Sequence, residues 1–442
     1  RIFGPAVLKG VASPTAPCPG IPDGTTCYRL WYVGTNASGV SRIGLAVSPD
    51  GVTWTRVVGS GTGGRVFEAG PAGRLDSSGA TYFSVMRDGD LFKMWYSGYG
   101  SALGTSMTEG IGLATSPDGI NWTRVVGPLA GGALLRASEE AGSFDQHESY
   151  VPFVIKDVVT TQSPCVGIAE GQTCYRMWYE GAITTGGYKF RIGYAVSPDG
   201  VNWTRVPGNA GNNAVLANGS ASEFDSSSVG IAQVNKEGAL YRMWYEAKDF
   251  GNRFRIGHVV SLDGIVWQRP TPSVPVFTGA NDPGTLDPDD VWSHTIVKDG
   301  NSYSMWYTVS TNPQAIRFGL ARLTPGSPLS AVHVARSGNE FTLSFTTNAS
   351  IPAGGSILLT LPASIPFGEV TPIGVSGFSG GASLTAEASA INDAPAANVT
   401  RGALVIRLAS PQTTGPKTVT FALANPPAVL SPLSIQTYDT IE

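Results

Sequence analysis

Apolar positions in residues 1–323 fall into short runs that return in the same order five times. Each copy contains an aromatic run and then a glycine-containing apolar run. Short apolar runs bounded by Gly, Pro, Asn and Asp predict β-strands. The aromatic runs read Leu-Trp-Tyr at 30–32 and Met-Trp-Tyr at 94–96, 177–179, 243–245 and 305–307. A strand-and-turn repeat of this length predicts a β-propeller, and five copies predict five blades.

The second run of each complete copy ends in a tight turn. Ile-Gly, Ser-Pro-Asp-Gly and Trp-Thr-Arg follow one another in the copies that begin at Ser41, Gly110 and Arg191. In such a turn Pro presets φ, Asp bonds the local backbone and Gly takes positive φ. The fourth copy, from Arg255, has Leu in place of Pro, and the fifth, from Arg317, lacks the turn and the second Trp. Four strands are therefore expected in a complete unit, with the middle strands buried between neighbouring blades.

The two ends of the repeat region differ from its centre. Pro5 aligns with Pro152, and by this alignment the first inner strand is expected to start upstream of Arg1. The fifth copy shows no fourth strand. We therefore expect a strand edge at the fifth blade that needs a partner, because unpaired edges recruit other strands.

The pattern changes near Pro325. Trp is absent after Trp306, and alternating apolar runs follow at 341–345, 356–361, 403–408 and 418–423. Short alternating strands over this length predict an immunoglobulin-like β-sandwich. Helix signals are nearly absent. The sequence therefore predicts an all-β chain, with a five-bladed propeller over residues 1–324 and a β-sandwich over residues 328–442.

The four cysteines form two local pairs. Cys18 and Cys27 enclose eight residues, as do Cys165 and Cys174, and each pair precedes a Trp-Tyr strand. Facing hairpin strands bring such pairs within disulfide range, so two disulfides and an oxidising compartment are expected. Four buried free thiols are the alternative. The spacing does not suit a zinc site.

The charge pattern limits the partners. The formal net charge is −4 and only 14% of residues are charged, which argues against nucleic acid or an anionic membrane as partner. No apolar stretch is long enough to cross a membrane as a helix. Together with the cysteine pairs, this composition predicts an extracellular or cell-surface protein.

The blade phrase resembles the five-bladed propellers of glycoside hydrolase families 43, 32, 68 and 130 over roughly residues 1–324. The resemblance lies in a Phe/Leu-Asp strand start, the Met-Trp-Tyr strand and Ile-Gly-x-Ala-x-Ser-x-Asp-Gly-x-x-Trp. It implies an essential Asp on the first blade's inner strand and an acidic Glu on a later one. This chain departs in both places, since the first position is absent and Asp225 is followed by three serines.

Four predicted inner strands begin with an acid in register, at Asp76, Asp145, Asp225 and Asp287. Glycosidases need one carboxylate as base or nucleophile and another as acid. Asp145, Glu148 and Asp225 are the candidate catalytic residues. The alternative is that the repeated Asp is a structural device, because an Asp at a strand start can accept local backbone N–H groups.

Other polar residues fall on or near the same strands. His147, Asp76, Asp290 and His294 are candidate substrate-binding residues. Asp287 and Asp289 could bind Ca²⁺, which takes oxygen ligands. A solvated acidic loop is the alternative for that cluster, and no other cofactor is indicated.

Two functional hypotheses follow. In the first, the propeller serves glycan binding, or is a structural, self-assembling surface or filament subunit. The partners would then be carbohydrate or further copies of the chain, joined by strand addition at the propeller edge or through the sandwich. In the alternative, the chain is an active secreted glycoside hydrolase or glycan phosphorylase that uses carboxylates at the channel mouth.

Overall fold

The structure is a computed structural model of the 442-residue chain. It describes residues 2–36, 41–100, 108–161, 163–183, 189–237, 240–269, 275–278, 290–299, 302–310, 316–323, 330–337, 339–347, 356–360, 370–376, 382–393, 397–408, 415–423 and 434–438. Apart from one short 3₁₀ turn at Ala130–Gly132, the regular elements in these ranges are β-strands. The predicted all-β class is confirmed.

The first three blades are antiparallel four-stranded meanders. They consist of β1 Ile2–Val11, β2 Thr26–Thr35, β3 Ser41–Ser48 and β4 Thr55–Val57; β5 Gly79–Asp88, β6 Leu91–Tyr99, β7 Thr108–Ser116 and β8 Thr123–Val125; and β9 Glu148–Val158, β10 Thr173–Ile183, β11 Lys189–Ser197 and β12 Thr204–Val206. The Met-Trp-Tyr runs lie on the second strand of each blade, and the Trp side chains there are buried.

The fourth and fifth blades show three strands each in the described ranges. These are β13 Ser228–Glu237, β14 Leu240–Lys248 and β15 Phe254–Ser261, and then β16 Val291–Asp299, β17 Ser302–Ser310 and β18 Ile316–Leu323. The five predicted blades are thus present in order. The need for a partner at the edge of the fifth blade stays a prediction.

Eight further strands form two antiparallel sheets of four in the described part of the remaining chain. The sheet orders are β19-β20-β25-β22 and β23-β24-β21-β26, with β19 Ser330–Ser337, β20 Glu340–Thr347, β21 Ser356–Thr360, β22 Val370–Ser376, β23 Ala382–Asp393, β24 Ala397–Leu408, β25 Gly415–Leu423 and β26 Ser434–Tyr438. The immunoglobulin-like topology and the domain boundaries stay predictions.

Neighbouring blades are joined by a hydrogen bond that repeats with the sequence. The indole N–H of the Trp in the aromatic run donates to the Gly carbonyl of the next blade's Ser-Pro-Asp-Gly turn, as in Trp31 to Gly119 at 2.9 Å. The same bond occurs from blade two to three and from three to four. Trp306 donates to Gly51 at 2.9 Å, so the fifth blade is joined to the first and the ring is closed.

Ion pairs join the other ends of the inner strands. Each inner strand except the first ends in a base followed by an acid, and the acid pairs with the base of the next blade. The pairs are Asp88–Lys156, Asp157–Lys236, Glu237–Lys298 and Asp299–Lys9. The last of these pairs again closes the ring from the fifth blade to the first.

Both predicted disulfides are formed, Cys18–Cys27 and Cys165–Cys174. The fully buried Arg176 holds the second disulfide loop by donating to the carbonyl oxygens of Ser163 at 3.0 Å and Pro164 at 2.9 Å. Within the described ranges, no helix is long and apolar enough to cross a membrane.

Candidate functional site

The repeated Asp at the start of each inner strand forms a buried clamp in blades two, three and four. Asp145 is fully buried and accepts bonds from Ser143 Oγ at 2.6 Å, Tyr179 OH at 2.9 Å and Arg205 Nε at 2.8 Å. Tyr179 belongs to the aromatic run and Arg205 to the Trp-Thr-Arg run. Burial and the charge of Asp145 raise the pKa of Tyr179 well above its usual value.

The same clamp recurs in the neighbouring blades. Asp76 pairs with Arg124 at 2.7 Å, and Asp225 accepts bonds from Tyr245 OH and Arg269 at 2.9 Å each. All three carboxylates are fully buried. They tie the first strand of a blade to its second and fourth positions, and none of them lines the described channel cavities.

Two cavities lie along the propeller axis. The deeper one, of about 410 Å³, is lined by the later halves of the inner strands. The other, of about 470 Å³, lies where the inner strands of blades two to five begin, and we call it the channel-mouth cavity. Its walls combine aromatic rings with charged groups, namely Tyr82, Tyr99, Tyr150, Phe190, Phe254 and Trp292 with Glu180, Glu246, Asp290 and Lys248.

Glu180 directly follows the Met-Trp-Tyr run of blade three and is 6% exposed. Its Oε1 accepts the hydroxyl of Tyr150 at 2.5 Å, and its Oε2 accepts the backbone N–H of Ile231 at 3.0 Å. Burial raises the pKa of Glu180 to about 8, and the nearby charges of Glu246 and Glu148 add to the effect. At neutral pH this carboxyl is therefore mostly protonated and can donate a proton.

Glu246 occupies the same position in blade four. Its Oε2 accepts the backbone N–H of Ser293 at 3.0 Å. Burial raises the pKa of Glu246 to about 7, with Asp290 acting in the same direction and Lys248 opposing it. The cavity thus holds two carboxyls that titrate near neutral pH, on neighbouring blades.

The backbone explains why both carboxyls point to the channel. Every inner strand has a bulge with positive φ at one residue in register, namely Gly4, Tyr82, Val151, Ile231 and Ser293. At such a bulge the strand ladder is interrupted, which frees a backbone N–H. The residue after Met-Trp-Tyr on the preceding blade accepts that N–H in three of the five cases: Ser97 from Val151 at 2.8 Å, and Glu180 and Glu246 as given above.

Because Ser97 performs the same structural task, the bulge does not require a carboxylate. The uncharged hydroxyl of a serine is enough for the scaffold, so the two glutamates bring an additional acidic function to the cavity. Glu180 also fixes its surroundings, since a Cβ at residue Gly230 would lie 2.0 Å from Glu180 Oε2. Gly230 is thus needed for close approach.

The sequence-predicted residues have separate locations. Glu148 is buried, and its charge raises the pKa of both Tyr99 and Glu180, so it lies behind the cavity wall. Asp290 lines the cavity and accepts the N–H of Phe254 at 2.9 Å. His147 is exposed.

His294 is buried on β16, and burial lowers its pKa to about 4, so it is neutral at pH 7. Asp287 and Asp289 lie outside the described residues, and the calcium prediction with them. Among the residues that are described, no group of three or more His, Cys, Asp or Glu is arranged to hold a metal ion.

Sequence reasoning missed Glu180 and Glu246. A signal was present, because the aromatic run is followed by Val33, Ser97 and Thr308 in the other blades and by Glu only in blades three and four. A position that breaks an otherwise regular repeat in this way is free of the scaffold and available for function.

No protein-family model matches the chain. Two curated proteins of Mycobacterium tuberculosis are similar, the uncharacterized proteins Rv1502 of strain H37Rv and MT1551 of strain CDC 1551. Each is 26% identical over 257 residues, which cover 55% of this chain and 71% of the relative.

Solved structures share the fold at 17% identity. A protein described as a glycoside hydrolase has a TM-score of 0.53 and covers 76% of this chain and 91% of its own. A glycosyl hydrolase from Bacteroides ovatus has a TM-score of 0.51, with 74% and 85% covered. BT0996, in a complex with RGII, has a TM-score of 0.52, with 75% and 90% covered. The glycosidase-like propeller predicted from the repeats is confirmed as a fold.

Proposed function

We propose that the chain binds a saccharide in the channel-mouth cavity. The observation that carries this proposal is the combination, in one cavity of about 470 Å³, of aromatic rings with buried carboxyl groups. Cavities that bind small molecules usually measure roughly 300–1,000 Å³. Aromatic faces pack against the C–H faces of sugars, and carboxyl groups accept hydroxyl hydrogens, so this wall suits a sugar ring.

The repeated clamps support binding at this cavity instead of at the predicted strand starts. Asp145 and Asp225 are fully buried and ion-paired. We propose that they serve the scaffold, whereas Glu148 and Asp290 keep their predicted roles beside Glu180 and Glu246.

The disulfides support a location outside the cytoplasm. Cys18–Cys27 and Cys165–Cys174 would be reduced in most cytosols and persist in oxidising compartments. We therefore propose a secreted or cell-surface protein. Assembly through a propeller edge or the sandwich stays a second proposal, which analytical ultracentrifugation tests: a monomer over the whole accessible concentration range would count against it.

Glycoside hydrolysis is a further candidate because one specific observation favours it. Glycosidases pair a protonated carboxyl with an ionised one. The carboxyls of Glu180 and Glu246 have pKa values of about 8 and about 7 on one cavity. Turnover of aryl glycosides that is lost in both Glu180→Gln and Glu148→Gln would establish an enzyme, and complete inactivity of the wild type across a broad panel would exclude these substrates.

Binding itself is tested by calorimetric titration with a panel of oligosaccharides. Trp292→Ala removes a cavity wall and is expected to weaken binding about tenfold, since a ring contact of this kind contributes about 1.5 kcal/mol. Trp203→Ala is the matched control, because Trp203 lines a separate groove on the outer side of blade three. Equal losses in the two variants would contradict the proposed site.

A further inference from the structure

The walls of the channel-mouth cavity are suited to one sign of charge. Its carboxyl groups belong to Glu180, Glu246 and Asp290, and its one described cationic side chain is Lys248. Glu148 lies close enough behind the wall for its charge to act on Glu180. An anionic ligand such as a uronate would be repelled here, because like charges at short range in a poorly solvated site cost several kcal/mol (on the order of 332/εr).

The aromatic rings favour the same sign. Six aromatic side chains line the cavity, and Phe3 backs two of them, with ring centroids 5.6 Å from Tyr82 and 6.0 Å from Trp292. Aromatic faces carry negative electrostatic potential and attract ammonium groups. The cavity wall already holds one such contact, since Lys248 Nζ lies 5.3 Å from the ring centroid of Phe254.

One acceptor in this wall is available for a ligand. Both oxygens of Glu180 are engaged, by Tyr150 and Ile231. Glu246 uses Oε2 for the N–H of Ser293, and among the described residues its Oε1 has no hydrogen-bond partner. Glu246 is only half-buried, so this oxygen can reach a molecule in the cavity.

We infer that the channel-mouth cavity selects a saccharide that carries a free amino group, with the ammonium bound between Glu246 and the aromatic wall. The inference rests on the proposed function, since it specifies the class of glycan that the cavity takes. An ammonium can donate to the available oxygen of Glu246 and compensate the clustered carboxyl groups. An N-acetylated or neutral sugar does neither.

The test compares matched pairs that differ only by an acetyl group. Amino-sugar oligosaccharides of gluco, galacto and manno configuration are titrated against their N-acetyl counterparts at pH 7, together with uronate oligosaccharides and tetramethylammonium. The best amino sugar is expected to bind at least tenfold more tightly than its N-acetyl partner, and uronates are expected not to bind.

Glu246→Gln is expected to remove this preference and to leave the affinity for the N-acetyl sugar within about threefold. Glu139→Gln, which changes an exposed glutamate, is the control and should behave as the wild type. Sugars that bind with no preference for the free amine would overturn the inference and leave the proposed function intact. Binding of tetramethylammonium without any sugar would support the cationic cavity and overturn the glycan proposal. No binding by any probe would overturn both.

Discussion

At the scale of single residues, the carboxyl groups of this propeller divide into two kinds with different surroundings. Asp76, Asp145 and Asp225 are each bound to an arginine and repeat with the blades. Glu180 and Glu246 accept backbone N–H groups, face a cavity and occur in only two blades. The partners around an acid, and its departure from the repeat, therefore indicate its role better than its presence at a strand start.

Glu180 makes folding stability depend on pH. Its pKa is about 8 in the folded chain and ordinarily 4.5, so between these values the folded state keeps a proton that the unfolded state has released. The stabilisation is therefore fully present below about pH 4.5 and is lost as the pH rises towards 8. We predict that the melting temperature falls between pH 5 and pH 8 and that this slope is smaller in Glu180→Gln, as scanning calorimetry would measure.

The sign of this effect is the critical outcome. Glu246 has a raised pKa of about 7 and adds a slope of the same sign, so Glu180→Gln retains part of the dependence. The expected difference between wild type and variant is on the order of a few kcal/mol across this range. An identical pH profile in the two proteins would show that Glu180 is ionised in the fold.

Asp145 is predicted to act on stability. Asp145→Asn leaves Arg205 without its charged partner, and breaking a buried pair costs about 3–5 kcal/mol. Arg205 is 34% exposed, so we expect about 2–4 kcal/mol, measured by urea unfolding. Asp299→Asn is the comparison, since that carboxylate is 55% exposed and should cost less than about 1 kcal/mol. Unchanged stability together with lost ligand binding would instead favour the catalytic role predicted from the sequence.

At the scale of the element, the bulged inner strand connects the scaffold to the cavity. The bulge at Ile231 directs an N–H to Glu180, and Gly230 beside it leaves room for the carboxylate. A blade without this bulge would place no hydrogen-bond donor at the cavity wall. The strand is thus responsible for the position of the carboxyl that the neighbouring blade supplies.

Gly230→Ala tests this connection. The added methyl group would meet Glu180 Oε2, so we expect the carboxylate to move, the saccharide affinity to fall at least tenfold, and the pH slope of stability to shrink. Gly10→Ala is a control on another inner strand, where an added Cβ would make only an ordinary contact at 3.6 Å. Wild-type affinity in Gly230→Ala would show that the position of Glu180 does not matter for binding.

At the scale of the whole molecule, closure of the ring explains how the cavity keeps its shape. The Trp306–Gly51 hydrogen bond and the Asp299–Lys9 pair join the fifth blade to the first. Both contacts use sequence elements that also join the other blades, so closure follows from the repeat itself.

The sequence was sufficient for the blades, because the Met-Trp-Tyr runs and Ser-Pro-Asp-Gly turns are local signals that repeat. It was also sufficient for the disulfides, whose spacing repeats too. The cavity was harder to predict, because Glu180 and Ile231 are 51 residues apart and meet only across a blade interface. The clamp was equally hidden, since Asp145 and Arg205 are separated by 60 residues.

A crystal structure of the protein with its tightest-binding oligosaccharide would test the central claim most directly. We predict that one sugar unit lies in the channel-mouth cavity, against Trp292 and within hydrogen-bond distance of Glu246. A sugar bound only in the outer groove beside Trp203, with the channel-mouth cavity left without ligand, would contradict the account.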